Sequence, residues 1–127
     1  MKGRVVHFEI PADDVKRATT FYQKTFEWAV QSMPEMEYTM LGTTASDAQG
    51  MPTEPGAING GMGKRSPTLK HPVVTLAVDD IDAALKAIVK NGGKVARPKE
   101  AIGPMGFTAY FTDTEGNTVG LFQAPSA

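Results

Sequence analysis

The chain has 127 residues, a formal net charge of −1 and no cysteine. That length suits one domain burying roughly two-thirds of its unfolded surface, and shares of 41% apolar and 21% charged residues are those of a folded soluble protein, not a disordered one. The missing cysteines exclude disulfides, thiolate zinc sites, iron–sulfur clusters and a cysteine nucleophile, and two histidines, His7 and His71, are too few for a histidine-rich metal centre.

The near-neutral balance offers no broad basic face to nucleic acid or an anionic membrane. No apolar run reaches the length of a membrane span. After Lys2 and Arg4, where a signal peptide would turn apolar, His7, Glu9 and Asp13 interrupt. The expectation is a cytoplasmic protein with no nucleic-acid or membrane partner.

The first element alternates with period two: Val6, Phe8 and Ile10 on one side, Val5, His7 and Glu9 on the other. Pro11 is expected to end this strand, because it cannot donate to a ladder. Asp13 or Asp14 then caps a helix over about residues 15–26, with Val15, Ala18, Tyr22 and Phe26, supported by Phe21, as its apolar stripe. Three strands follow, Trp28–Ser32, Met36–Leu41 and Ala57–Met62, around a long polar loop at Gly42–Pro55.

Beyond a polar linker the pattern returns. Val74, Leu76 and Val78 alternate with Val73, Thr75 and Ala77; Asp79–Asp80 precede a stripe of Ile81, Ala84, Leu85 and Ile88; Gly92–Gly93 close that helix. Strands Lys94–Arg97, Phe107–Thr112 and Asn117–Gln123 complete the second half. Asp14 and Asp80 stand 66 residues apart, about half the chain, so the chain reads as one domain of two strand–helix–three-strand modules. Module one covers about 1–63, the linker about 64–70 and module two about 71–127. A four-stranded sheet with one helix leaves its second face open, and function is expected there.

Alternation assigns Val5, His7, Glu9, Val73, Thr75, Ala77, Thr118, Gly120 and Phe122 to the open face. His7 and Glu9 are the candidate acid–base pair: a neighbouring carboxylate raises an imidazole pKa, and burial lowers it. Val73, Thr75, Thr118 and Phe122 are candidate ligand contacts. One imidazole, one carboxylate, hydroxyls and an apolar wall suit a small organic molecule held by few polar contacts. Met33, Met36, Met40, Met51 and Met62 gather near the first-half strands; core packing is expected for most, with some lining an adaptable pocket.

Other patterns carry no chemistry. Gly60–Ser66 departs from a phosphate-binding loop, because Ile58 stands at the first required glycine and the hydroxyl comes one residue late. Its glycines are expected to admit a close backbone approach. A Gly-x-Ser-x-Gly nucleophile elbow is absent. Lys86, Lys90 and Lys94 read as a solvated helix face.

Two βαβββ modules in a chain of this length resemble the vicinal oxygen chelate superfamily, which includes glyoxalase I, bleomycin-resistance proteins and extradiol dioxygenases. The resemblance rests on Val6-His7-Phe8-Glu9-Ile10 leading to Asp14, on Ala18 with Phe21-Tyr22, and on Phe26-Glu27-Trp28. It continues in Val78-Asp79-Asp80-Ile81-Asp82, Gly92-Gly93-Lys94-Val95, Gly103-Pro104-Met105-Gly106-Phe107 and the run Phe111–Leu121. It implies an α+β fold of two βαβββ modules whose curved sheets form a half-open barrel cavity with helices outside. It also implies a homodimer and a small organic ligand, leaving open a binding module or an enzyme related to lactoylglutathione lyases or dioxygenases. Glu27 departs from the family, which commonly has glycine there.

Metal-dependent members place a ligand on the first and last strand of each module. By motif spacing these positions are His7, Gly60 or Gly61, Val73 and Gly120, so one of four carries a donor. The expectation is a protein without the metal centre and without another cofactor. One alternative is a divalent-metal lyase, isomerase or dioxygenase with a rearranged His7, Glu9 and His71 set. Another is an antibiotic-sequestering resistance protein.

Overall fold

Both helices begin where an aspartate can satisfy their free N–H groups. The Asp14 carboxylate accepts from the backbone N–H of Arg17 at 3.0 Å, and Asp80 accepts from that of Ala83 at 3.2 Å. They start α1 (Val15–Phe26) and α2 (Ile81–Lys90) in the computed structural model, which describes residues 2–126. Around them run β1 (Arg4–Ala12), β2 (Ala29–Met33), β3 (Tyr38–Gly42) and β4 (Gly60–Lys64), then β5 (Val73–Ala77), β6 (Lys94–Ala101), β7 (Phe107–Thr112) and β8 (Thr118–Gln123). The architecture is the expected α+β one, two βαβββ modules.

His7–Pro72 forms one compact unit, and the rest of the chain, the first residues of β1 included, forms the other. In the first, the strands lie in the order β2-β3-β4-β1, with β1 and β4 parallel and the other pairs antiparallel. The second repeats this as β6-β7-β8-β5, with β5 and β8 parallel. Each parallel pair brackets its helix in sequence, since parallel strands need a long crossover connection.

One face of each sheet is covered by its helix. In the first unit Ala12, Leu41 and Met62 are buried, and Phe8, Ile10, Val15, Ala18, Tyr22, Trp28 and Val30 pack around them. In the second, Ile81, Ala84, Ala109, Phe111 and Leu121 are buried beneath Leu76, Val78, Leu85 and Ile88. Period two therefore places Phe8, Ile10, Leu76 and Val78 on the helix side, whereas Val74, grouped with them by alternation, is exposed. The α1 stripe is narrower than its sequence implies: Phe21 and Phe26 are exposed. They flank a stacked pair in which the Tyr22 and Trp28 rings lie 4.6 Å apart and nearly parallel. Of the methionines, Met62 is core, whereas Met36 and Met51 are exposed, so core packing is not their common role.

Several strand boundaries differ from the sequence reading, and those of β1, β3, β4 and β6 trace to local features. β1 runs through Pro11, which is opposite Gly63 of β4. Successive residues direct their hydrogen-bonding groups to opposite edges, so a proline fits where its nitrogen faces away from the ladder. β3 starts at Tyr38 because Pro34–Met36 coil into a 3-10 turn that Glu37 ends in the left-handed region, at φ 50°. β4 starts at Gly60 because Ile58 and Asn59 close the preceding loop instead. Asn59 Oδ1 accepts from the Thr43 N–H, its Nδ2 donates to Ser46 Oγ and the Gly50 carbonyl, and the Ile58 carbonyl accepts from the Thr43 hydroxyl. β6 extends to Ala101 across two register shifts that flank Arg97.

Glu27 ends α1 at φ 59°, its N–H donating to the Gln23 carbonyl, so the left-handed geometry is kept without glycine. The left-handed region costs a side-chain-bearing residue about 1–2 kcal/mol, partly offset by the greater freedom of an unfolded glycine. Glu27→Gly is therefore expected to stabilise the protein by about 0.5–1 kcal/mol, read as a higher urea midpoint at unchanged slope; a lower midpoint contradicts this reading.

Candidate functional site

β4 has almost no side chains, and aromatic rings occupy the space. A Cβ built on Gly60 would collide with the Phe8 ring on the helix side, and one on Gly61 would fall within the Tyr38 ring on the other. The residue pairs Glu9–Gly61 and Met40–Gly61 put Glu9, Gly61 and Met40 on one face; Tyr38 and His7 share it by alternation. Tyr38 reaches from β3 across the bare backbone of β4, and its hydroxyl lies 3.0 Å from Nε2 of His7 on β1. The glycines therefore admit rings, not the close backbone approach their spacing suggests.

Burial governs His7. Desolvation of the ring pushes its pKa below the usual 6.5, with the neighbouring Glu9 charge pulling in the opposite direction and losing. The imidazole is thus neutral at pH 7, one nitrogen a donor and the other an acceptor. Glu9 is buried at 7% exposure on the same strand face. His7, Glu9 and Tyr38 together make a polar cluster that can bind an oxygen-bearing ligand and exchange a proton with it.

The other sequence candidates lie in the second unit. Val73 and Thr75 are buried on β5, at 3% and 6% exposure. On β8, Thr118 stands opposite Thr112, and Phe122 stands between Ala77 and Thr108. Thr75 is opposite Gly120 just as Glu9 is opposite Gly61, which identifies Gly61 as the module-one counterpart of Gly120.

The family's metal does not fit these residues. At its four positions stand His7, Gly61, Val73 and Gly120, three of them without a donor atom in the side chain. The rearranged set fails as well. His71 is exposed in the bend before β5, and among the described residues no three of His, Cys, Asp and Glu group so as to hold a metal ion. Tyr38 is the residue of this cluster that sequence reading misses. Its only forewarning is an aromatic residue in the strand before a Gly-Gly pair.

Comparison with known proteins agrees with this geometry. Residues 4–44 match the family described as bleomycin resistance protein-like N-terminal. A glyoxylase-like domain-containing protein of Didymella fabae is 34% identical over 98% of this chain and 97% of its own length. CFP32 of Mycobacterium bovis, named for glyoxylase, is 31% identical over 91% of this chain, which spans 44% of that protein. The structure of a variant of Streptomyces coelicolor methylmalonyl-CoA epimerase, 17% identical, superimposes with a TM-score of 0.67 over 99% of this chain and 100% of that one, a likeness of fold. Among the described residues, no helix is long and apolar enough to cross a membrane. The chain belongs to the vicinal oxygen chelate superfamily, among its glyoxalase- and bleomycin-resistance-like proteins.

Proposed function

We propose that this protein binds a small organic molecule against the His7–Glu9–Tyr38 face of its first module, without a metal, and exchanges a proton with it. The observation that carries the reading is the hydrogen bond between Tyr38 and a half-buried His7, whose pKa is lowered by desolvation, across the bare backbone of Gly61. When Tyr38 takes a proton from a ligand hydroxyl, it can pass its own phenolic proton to neutral His7, so the proton the ligand loses ends on the imidazole. Glu9 then stabilises the imidazolium that forms, since its charge raises the His7 pKa. The glyoxylase-like relative and the epimerase neighbour, named for methylmalonyl-CoA, support a small organic ligand. Among the described residues no cluster of side chains fits a metal ion, and proton transfer is the chemistry that His7, Glu9 and Tyr38 can themselves offer.

Thermal shift on metal-stripped protein tests the reading, with a panel of aldehyde–thiol adducts, catechols and antibiotics. A saturable rise in Tm is expected for at least one member, since selective binding to the folded state stabilises by mass action, and Tyr38→Phe is expected to lose it. A panel without any saturable shift contradicts the proposal. So does binding that requires one metal ion per chain, retained on purification and lost in His7→Ala.

The depressed His7 pKa has a consequence for stability. Between the folded-state value and 6.5 the unfolded chain binds more protons, so the contribution of His7 is complete above pH 6.5 and is lost as pH falls below it. Between pH 7.5 and 5, the wild type should lose more stability in urea unfolding than His7→Gln does. Equal losses would contradict the burial of a neutral imidazole.

Gly61→Ala tests the ring placement. The added Cβ displaces the far end of the Tyr38 side chain, so the cost in stability should be at most about 1–2 kcal/mol. Ligand binding should fall as far as in Tyr38→Phe. Full retention of binding would show that Tyr38 does not need its position over Gly61.

A further inference from the structure

We propose that copies of this chain bind one another through a basic apolar groove on the second module and an acidic turn on the first, with Met36 of one copy seated in the groove beside Lys86 and Lys90 of another. Neither surface includes His7, Glu9 or Tyr38.

α2 and β6 leave a groove of about 450 Å³ between them, lined by Leu85, Lys86, Val89 and Lys90 of the helix and Val95 of the strand. β6 is the last strand of its sheet, and Val95 stands opposite the buried Phe111, so it lies on the helix side of that edge. Val89 and Val95 are 55% and 42% exposed, which leaves the apolar part of the groove uncovered. The charge around it has one sign. From Leu85 to Lys99 the chain carries Lys86, Lys90, Lys94, Arg97 and Lys99 and no carboxylate, although its net charge is −1. Lys99 is paired with Asp82, and the other ion pair among the described residues is Arg65–Asp13, so Lys86 and Lys90 keep unpaired charge. Such a rim repels another copy of itself and is complementary to an acidic surface.

The first module carries that surface. Pro34–Met36 form a 3-10 turn, closed by the Glu37 N–H donating to the Pro34 carbonyl at 3.1 Å, and residues 34–37 are all exposed. Of the exposed large apolar side chains among the described residues, Met36 alone has a carboxylate residue on each side, Glu35 and Glu37. Neither is in an ion pair. An apolar side chain between two anions thus matches an apolar groove bordered by two cations, and methionine adapts its shape to irregular apolar surfaces. One turn in one groove covers much less than the about 800 Å² per partner of a stable complex. The association is therefore weak, and salt screens it.

Amide chemical shifts followed by NMR over a series of protein concentrations at low salt test the contact. Concentration-dependent shifts are expected at Glu35, Met36 and Glu37 and at Lys86, Val89 and Val95, and high salt should suppress them. Two charge-reversed proteins, one with Glu35→Lys and Glu37→Lys and one with Lys86→Glu and Lys90→Glu, should each self-associate about tenfold more weakly. The four side chains are exposed, so both proteins keep the fold. Mixed together they should associate again, because the basic turn of one meets the acidic groove of the other. Met36→Ser should weaken association with every charge kept. Absence of concentration-dependent shifts, shifts at only one of the two surfaces, or shifts confined to another face such as Phe21 and Phe26 overturns the proposal. So does self-association that both reversed proteins retain, or a mixture that associates no better than either alone.

Discussion

A pair of glycines in one strand organises the first module. β4 lies between β1 and β3, and at Gly60 and Gly61 it presents bare backbone to both faces of the sheet. Phe8 fills the helix side and Tyr38 the other. Glycine in a strand costs roughly 0.5–1 kcal/mol in backbone freedom, and an aromatic ring laid on that glycine offsets the cost by burying its backbone. The two rings are therefore both the stabilising partners of β4 and the means by which its faces acquire different chemistry. One face continues into the core around Leu41 and Met62; the other holds the His7–Tyr38 hydrogen bond.

The same geometry changes the meaning of the superfamily's metal positions. Three of the four have no side-chain donor, yet the strands that would carry them are intact and in register. In each module a tyrosine stands next to the last-strand glycine: Tyr38 over Gly61, and Tyr110 beside Gly120. Hydroxyl and ring chemistry thus stands where the metal-dependent relatives have ligands. With a neutral His7 beside Glu9, the first module is suited to moving a proton.

The helices and their faces were legible because their signals are local. Asp14 and Asp80 before an apolar stripe define both starts, and period two sorts Phe8 from His7 and Leu76 from Thr75. Strand ends were less legible. Glu37 in a left-handed turn and Asn59 bonded across the loop take residues from strands whose composition suits β structure. Phe21 and Phe26 misled for a related reason: helical spacing marks an apolar stripe but not how much sheet there is to cover it. The site was half visible. His7 and Glu9 follow from alternation, whereas Tyr38 reaches His7 only through the pairing of β3 with β4 and β4 with β1.

The central claim is that Tyr38 lies across Gly61 and is bonded to a neutral, half-buried His7. Nitrogen-15 NMR of the His7 imidazole through a pH titration, in the wild type and in Tyr38→Phe, tests it most directly. The account predicts a wild-type midpoint below 6.5 and an Nε2 resonance that moves when the phenol hydroxyl is removed. A midpoint at or above 6.5, with the same Nε2 resonance in both proteins, would contradict it.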